Sequence, residues 1–421
     1  MDWLKETCAI LLRKSEKYFK TDMVYLAKGG FWLTLGQITG STASVLLALA
    51  FAHFSTKEFY GYYAYIISLI AVLGIFTLSG LSLAVTQSVA YGFEGSLREG
   101  FKKNLVWSGP FLLASICVIF YYLYHGNTQI SLPLLVAIIW LPITSSALLY
   151  NAFLNGKKEF KRGAQYGSIY NLVPAIITAL SLLFTQSLVF IIFIFFFSEC
   201  LITLIFYKKT LDLYHPNEEV DPSLLKHGKQ LTVVGILGVI AGQIDKIIVF
   251  HYLGPVDLAI YVFAVAAPEQ LRYILRNVRL LAIPKFAKEP MEKIREQFWT
   301  KNIRMGIVLL FAILAYVILS PFLYTLIFPQ YESSIIYSQI FSLSLISMVS
   351  IFPYALIQAK REHKKLTVLT LIDALSLCGF SILFVPIYGL WGAIIAKIIN
   401  RILVAISTFF LAGQIKDRLP S

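Results

Sequence analysis

Residues 242–264 read GQIDKIIVFHYLGPVDLAIYVFA: one apolar run ends here, a short turn follows, and a second apolar run begins. The turn, residues 253–257, has no Lys or Arg. Residues 47–65, LALAFAHFSTKEFYGYYAY, have the same layout. A shift of 199 positions superposes one quartet on the other: Phe51, Glu58, Phe59 and Tyr62 on Phe250, Asp257, Leu258 and Tyr261. This internal repeat predicts two halves of similar organisation.

The cations lie in every second gap between the apolar runs. Twenty-nine of the 36 Lys and Arg residues occupy alternate gaps, from the N-terminus to the C-terminus, whereas the gaps between them hold only Lys57. Because short loops rich in Lys and Arg stay in the cytoplasm, the pattern predicts twelve membrane spans with both termini cytoplasmic. The predicted spans are 29–52, 60–90, 103–124, 131–154, 163–184, 187–207, 230–252, 257–284, 302–326, 333–358, 366–386 and 389–413.

We therefore predict an all-α integral membrane protein, because backbone polar groups in lipid are satisfied within a helix. Six spans per half give both halves the same orientation, which predicts two six-helix lobes related by a pseudo-two-fold axis, V-shaped around a central cavity. The predicted organisation is a cytoplasmic amphipathic N-terminal segment at 1–28, an N-lobe at 29–208 with spans 1–6, a cytoplasmic connector at 209–226, a C-lobe at 227–415 with spans 7–12, and a cytoplasmic tail at 416–421.

Composition limits the classes of function. With 58% hydrophobic residues, 14% charged residues and a net charge of +13, the chain is basic because of its cytoplasmic loops, so we predict no nucleic-acid partner. The histidines form no HExxH or comparable metal spacing, and no P-loop is present. We predict neither a metal nor a cofactor. Since no predicted external connection is long enough for a catalytic domain, a transporter is favoured over an enzyme.

The two quoted stretches, with GGFWLTLGQ at residues 29–37, resemble the O-antigen type (Wzx-like) polysaccharide flippases. These belong to the multidrug/oligosaccharidyl-lipid/polysaccharide (MOP) exporter superfamily. The similarity is most specific at Gln243-Ile244-Asp245-Lys246 followed by Leu253-Gly254-Pro255. It implies a flippase that moves an undecaprenyl-pyrophosphate-linked oligosaccharide from the inner to the outer leaflet of a bacterial inner membrane.

We expect alternating access, with energy from the membrane potential or a coupled cation, H⁺ or Na⁺. The other expected partners are membrane lipids, a polysaccharide polymerase and further assembly proteins.

Six cations remain inside the predicted spans, all in the second half: Lys246, Arg272, Arg276, Arg279, Lys397 and Arg401. A charge at the centre of a span costs about 3 kcal/mol, so these side chains should face protein or water. Glu269, Arg272, Arg276 and Arg279 are spaced by 3, 4 and 3 residues, which places them on one helix face. Because the guanidinium fork suits phosphate, Arg272 and Arg276, with Lys246, are the predicted pyrophosphate-binding residues. A structural pairing of Lys246 is an open alternative, and so is snorkelling to the membrane surface for Arg279, Arg276 and Arg272.

The intramembrane carboxylates are candidates for ion coupling or for ion pairs in the cavity. Glu199 is a candidate proton site or a neutral, hydrogen-bonded acid. We expect Asp245 to neutralise an arginine across the cavity, and we favour a buried ion pair between Asp373 and Arg401. Glu269 is a candidate for either role. Gln37, Gln87 and Asn171 are candidates for contacts with sugar hydroxyls or for hydrogen bonds between helices.

Two other functions are open. A multidrug or organic-cation antiporter of the same superfamily would rely on buried carboxylates, whereas the predicted cavity has more cations than carboxylates. A membrane polysaccharide polymerase or ligase would handle the same lipid carrier. Such enzymes need a large external loop or a carboxylate motif at the membrane face, and the sequence predicts neither.

Overall fold

The computed structural model describes residues 23–288 and 290–415, and every regular element within them is helical. The predicted tail, 416–421, and most of the predicted amphipathic segment, 1–28, lie outside the described residues. The helices are α1 (Met23–Phe54), α2 (Lys57–Leu73), α3 (Leu81–Ala90), α4 (Ser96–Val106), α5 (Gly109–Tyr124), α6 (Thr128–Ala147), α7 (Leu149–Gly156), α8 (Phe160–Ser181), α9 (Leu188–Tyr214), α10 (Leu224–Leu253), α11 (Pro255–Lys288), α12 (Met291–Ile327), α13 (Ile335–Ser342), α14 (Ile351–Ala359) and α15 (His363–Gly413). Short 3-10 helices cover Gly74–Phe76, Pro329–Ser334 and Leu343–Ser350.

Nine helical stretches within the described residues are long and apolar enough to cross a membrane, so the chain is a multi-pass membrane protein. The predicted spans 163–184 and 257–284 correspond to α8 and α11, which are helical but are not among the nine. Both carry more charged and polar residues than their neighbours. The count of twelve spans therefore stays a prediction.

The last two predicted spans, 366–386 and 389–413, fall in the 51 residues of α15. Gly389, with φ at +58°, interrupts the helical backbone there, a conformation that glycine adopts without a Cβ clash. Pro386, just before it, removes a helix hydrogen bond. The sequence thus places a break at the predicted turn, although helical geometry continues on both sides.

The exposed face of α12 shows what surrounds these helices. Ile307, Phe311, Leu314, Ile318 and Phe322 follow one another at intervals of three or four residues, and each is at least half exposed. Large apolar side chains on one helix face would be unfavourable in water over such a length. They fit a face that contacts lipid.

The helices form two compact units that are not continuous halves of the chain. The first comprises the described residues up to Ala48, together with Thr77–Leu113 and Val136–Leu231. The second comprises Leu49–Phe76, Ala114–Leu135 and the described residues from Thr232 onward. The lobes predicted at 29–208 and 227–415 and their symmetry stay predictions.

Within the second unit, the two repeated stretches pack against each other. Gly61 of α2 lies so close to α11 that a Cβ placed on it would come within 1.8 Å of the Pro255 carbonyl oxygen. Beside this contact, the rings of Tyr65 and Phe250 stack at 3.8 Å between centroids. Tyr62 meets the same Phe250 ring edge-on at 5.6 Å. The repeat therefore supplies both sides of one helix contact.

Within the first unit, hydrogen bonds hold the chain between α9 and α10 against the loop between α3 and α4. The Asn217 side chain accepts from the backbone N–H groups of Glu94 and Gly95 and donates to the Gly92 carbonyl oxygen. The Asp221 carboxylate accepts from the Ser88 hydroxyl at 2.7 Å. These bonds fix the predicted connector to the loop between α3 and α4.

Candidate functional site: a charged network and cavity beside α11

The most buried carboxylate of the second unit is Asp245 on α10, which is 2% exposed. It accepts a hydrogen bond from the Lys397 ammonium at 2.6 Å and one from the Tyr261 hydroxyl at 2.7 Å. Its other oxygen accepts from the backbone N–H of Lys246. Such a carboxylate needs a paired cation and hydrogen-bond donors, because an isolated charge is too costly to bury.

Three cations surround the second carboxylate, Glu269 on α11. Arg401 pairs with its Oε1 atom, Lys397 lies 3.7 Å from the same oxygen, and Arg272 lies 3.9 Å from Oε2. Arg401 also donates to the Ser344 hydroxyl at 2.6 Å. We refer to Asp245, Glu269, Lys397 and Arg401 as the charged network.

The expected pairing of Asp373 with Arg401 is wrong, because Arg401 pairs with Glu269 instead. The Asp373 backbone carbonyl accepts from the Asn400 side chain at 2.9 Å, while its side chain faces a cavity. Depth along a helix placed the two residues at one level. It did not determine which neighbouring helix each one faces.

That cavity, of about 380 Å³, lies within the second unit. Glu269, Arg272 and Arg279 line one wall from α11, and Asp373, Thr370 and Thr408 line another from α15. Arg279 lies over the Tyr354 ring at 4.7 Å from its centroid. The side chain of Arg276, the other predicted ligand on this face, lies outside the described part of the structure. We call this space the α11 cavity.

The three cations around Glu269 differ in the exposed fraction of their side chains. The side chain of Arg401 is 3% exposed and that of Lys397 is 13% exposed, whereas 41% of the Arg272 side chain is exposed. Arg401 and Lys397 also lie over the Phe341 ring, at 4.5 and 5.8 Å from its centroid. Of these three, Arg272 is therefore the cation with surface available to a ligand.

The ammonium of the predicted ligand Lys246 donates to the Gln243 side chain at 3.1 Å and lies near enough to Asp245, Lys397 and Glu269 for their charges to interact. In the first unit, the Glu199 carboxyl accepts a hydrogen bond from Tyr170. The predicted sugar-contact residues all belong to the first unit. Gln87 bonds with the His227 ring at 2.7 Å, Asn171 lies beside Gly40, and Gln37 is exposed on α1.

Two members of the site were not predicted as such. The sequence assigns Lys397 no role, yet this lysine bridges both carboxylates of the charged network. Asp245 therefore pairs with a lysine and not with the expected arginine. Tyr261 was noted only as part of the internal repeat. A lysine in the middle of an apolar span was the available signal for Lys397; nothing in the sequence pointed to Tyr261 as a hydrogen-bond donor. Within the described residues, no group of three or more His, Cys, Asp or Glu side chains could hold a metal ion.

Solved membrane transporters share this architecture. An inward-facing multidrug resistance MATE family transporter of the MOP superfamily is 14% identical, with a TM-score of 0.67, over 91% of this chain and 97% of its own. The lipid II flippase MurJ is 13% identical, with a TM-score of 0.65, over 90% and 87%. A MOP superfamily transporter from Pyrococcus furiosus is 14% identical, with a TM-score of 0.58, over 92% and 94%. No curated protein matches the chain in sequence.

The fold is therefore that of the MOP superfamily transporters, as the resemblance implied. Residues 26–275, more than half of the chain, match the model of the polysaccharide biosynthesis protein family. The chain belongs to that family. The narrower O-antigen type and its substrate are matters of proposal.

Proposed function

We propose that this protein is a flippase that moves an undecaprenyl-pyrophosphate-linked oligosaccharide, an O-antigen unit or a similar surface polysaccharide repeat, from the inner to the outer leaflet of a bacterial inner membrane. Transport proceeds by alternating access and is coupled to the membrane potential or to a cation gradient of H⁺ or Na⁺. The partners are membrane lipids, a polysaccharide polymerase and other assembly proteins. Both termini lie in the cytoplasm, where the basic loops contact anionic lipid.

The observation that carries this proposal is the half-exposed Arg272 in the wall of the α11 cavity. An arginine inside a membrane protein is costly unless it pairs or has a function. Arg401 and Lys397 already neutralise the carboxylates nearby, so the network's own balance does not require Arg272. Its guanidinium suits a phosphate oxygen pair. Membership in the polysaccharide biosynthesis protein family supports a lipid-linked sugar as the molecule that carries this phosphate.

The roles divide among the predicted residues. Arg272 contacts the pyrophosphate first, and Arg279 lies on the same cavity wall. The helical spacing of the sequence predicts Arg276 on the same face. Lys246 takes part after leaving Gln243, which is its partner in this structure. Glu199 and Asp373 are the candidates for ion coupling. The sugars are recognised through uncharged groups among which Gln37, Gln87 and Asn171 are candidates.

The multidrug antiporter is the second candidate function, and the charged network argues against it. An organic cation needs a buried carboxylate without a resident partner. In the described second unit, Asp245 and Glu269 both have cations within 4 Å. A drug entering there would have to displace Lys397 or Arg401 from buried ion pairs.

The test is translocation of a labelled undecaprenyl-pyrophosphate oligosaccharide between leaflets of proteoliposomes. We expect Arg272→Ala to lower the initial rate at least about tenfold, since one charge-assisted contact contributes about 1.5–3 kcal/mol. Arg304→Ala is the matched control, because Arg304 is exposed on α12. Lys365 is less suitable, since its ammonium donates to the Leu411 carbonyl oxygen at 2.9 Å.

Equal rates for the two alanine variants would contradict the role of Arg272. A native protein that moves no lipid-linked oligosaccharide but takes up an organic cation would instead be a drug antiporter. Imposing a membrane potential, a proton gradient or a sodium gradient in the same vesicles tests coupling. If none of the three changed the rate, transport would be uncoupled, and only facilitated flipping would remain.

A further inference from the structure

We infer that Glu269 competes with the substrate's phosphate for Arg272. Glu269 pairs with Arg272 in the unloaded state, and the incoming pyrophosphate displaces Glu269 from this arginine. This inference rests on the proposed function, because it takes a lipid-linked pyrophosphate as the anion. What it adds is that Arg272 exchanges one ion-pair partner, Glu269, for another, the pyrophosphate.

The asymmetry of the two carboxylate oxygens supports this exchange. Oε1 of Glu269 faces the buried cations, with Arg401 paired to it and Lys397 at 3.7 Å. Oε2 faces Arg272, at the long distance of 3.9 Å. One oxygen therefore belongs to the buried network, whereas the other belongs to the α11 cavity.

The Arg272 pair is also easy to break. Arg272 and Glu269 are three residues apart on one helix, and such exposed pairs contribute only about 0.3–0.5 kcal/mol. When Arg272 leaves, Arg401 and Lys397 still neutralise Glu269, so no charge is left unpaired. A phosphate that offers two oxygens in a better geometry can therefore take Arg272 at little cost.

The position of Glu269 in the cavity wall makes the competition direct. Glu269 and Arg272 both line the α11 cavity, so an anion that reaches Arg272 approaches the Glu269 carboxylate as well. Their repulsion favours departure of the anion once the cavity opens. The carboxylate thus keeps the site charge-balanced when empty and limits how tightly it retains its substrate.

Binding of farnesyl pyrophosphate, a short isoprenoid pyrophosphate, to the full chain in nanodiscs tests the exchange. Glu269→Gln removes the competitor, and we expect Kd to fall at least about twofold, because an ion pair of about 0.3–0.5 kcal/mol is no longer broken. In the Arg272→Gln background, the same change should lower Kd less, since it removes only the repulsion between Glu269 and the anion and there is no arginine to compete for. Asp373→Asn is the control: it removes a carboxylate from the same cavity that has no ion pair with Arg272, so its effect should be equal in both backgrounds.

An equal effect of Glu269→Gln in the two backgrounds, or none in either, would overturn the exchange while leaving Arg272 as a ligand. If Arg272→Gln alone left Kd unchanged, the proposed pyrophosphate site itself would be wrong. A separate measurement is needed in case Glu269→Gln does not fold, because Arg401 is nearly buried. Thermal unfolding should then show a clear loss for Arg401→Gln and no loss for Arg272→Gln. Equal losses would mean that Arg272 is a structural partner and would refute the exchange.

Discussion

The two units treat buried acids in different ways. In the second unit, Asp245 and Glu269 are held by lysine and arginine ion pairs that link α10, α11 and α15. In the first unit, the Glu199 carboxyl relies on a hydrogen bond from Tyr170. A carboxylate bound to a cation stays charged, whereas a carboxyl bound to a phenol can be neutral. The second unit therefore holds these two carboxylates with cations, whereas the Glu199 carboxyl of the first unit accepts from a neutral phenol.

The largest expected effect comes from breaking the charged network. Lys397→Met would leave Asp245 buried without its cation, and we expect a loss of about 3–5 kcal/mol of stability because an unpaired buried charge remains. Thermal unfolding of the purified protein in detergent measures it. The double variant Asp245→Asn/Lys397→Met should recover most of the loss. An unchanged melting temperature for Lys397→Met would show that Asp245 does not depend on this lysine.

A smaller effect is expected in the first unit. Glu199→Gln keeps an oxygen that accepts from Tyr170, so we expect stability to change by less than about 1 kcal/mol. Tyr170→Phe removes the donor and should cost about 1–2 kcal/mol. The same unfolding assay compares both variants with Asp245→Asn. If Glu199→Gln were as damaging as Asp245→Asn, the contrast between the two units would disappear.

The smallest effect concerns Asp221, outside the membrane spans. Partial burial raises its pKa, but hydrogen bonds from Ser88 and Ser223 and the charge of His227 lower it, and the net pKa is below the usual value of 3.8. An acid with a lowered pKa in the folded state stabilises the protein above its unfolded pKa and loses that contribution as the pH falls through the folded value. We expect the native chain to melt slightly higher than Asp221→Asn at pH 6. The difference should shrink below about pH 4. If the difference in melting temperature between the two proteins grew as the pH fell, the expected sign of this pH dependence would be wrong.

The sequence predicted where the helices lie better than it predicted which helices contact each other. Run length, Pro and Gly positions and alternating loop charge pointed to the nine stretches of the described residues that can cross a membrane, because the bilayer imposes these features on each segment separately. The full count of twelve stays a prediction. The face of α11 was also accessible, since helical spacing places Glu269, Arg272 and Arg279 together. Function at these residues stays a prediction.

Which residues form ion pairs between helices was harder to predict from the sequence. The choice of Glu269 over Asp373 by Arg401 depends on how α11 and α15 are rotated, which one chain's hydropathy does not specify. The same holds for Lys397, whose two carboxylates come from α10 and α11. Each compact unit is made of several separate chain segments, and this too was not predicted. The order of the spans along the sequence does not specify which parts of the helices pack together.

The contact between Gly61 and Pro255 has a consequence for genetics. Every replacement at position 61 adds at least one carbon atom to a space that has no room for it, whereas a Cβ on Gly74 would meet no atom within 4 Å. A library of all residues at both positions would therefore give tolerance at 74 and intolerance at 61. Because this readout depends only on helix packing, it would calibrate loss of folding in any screen for loss of activity.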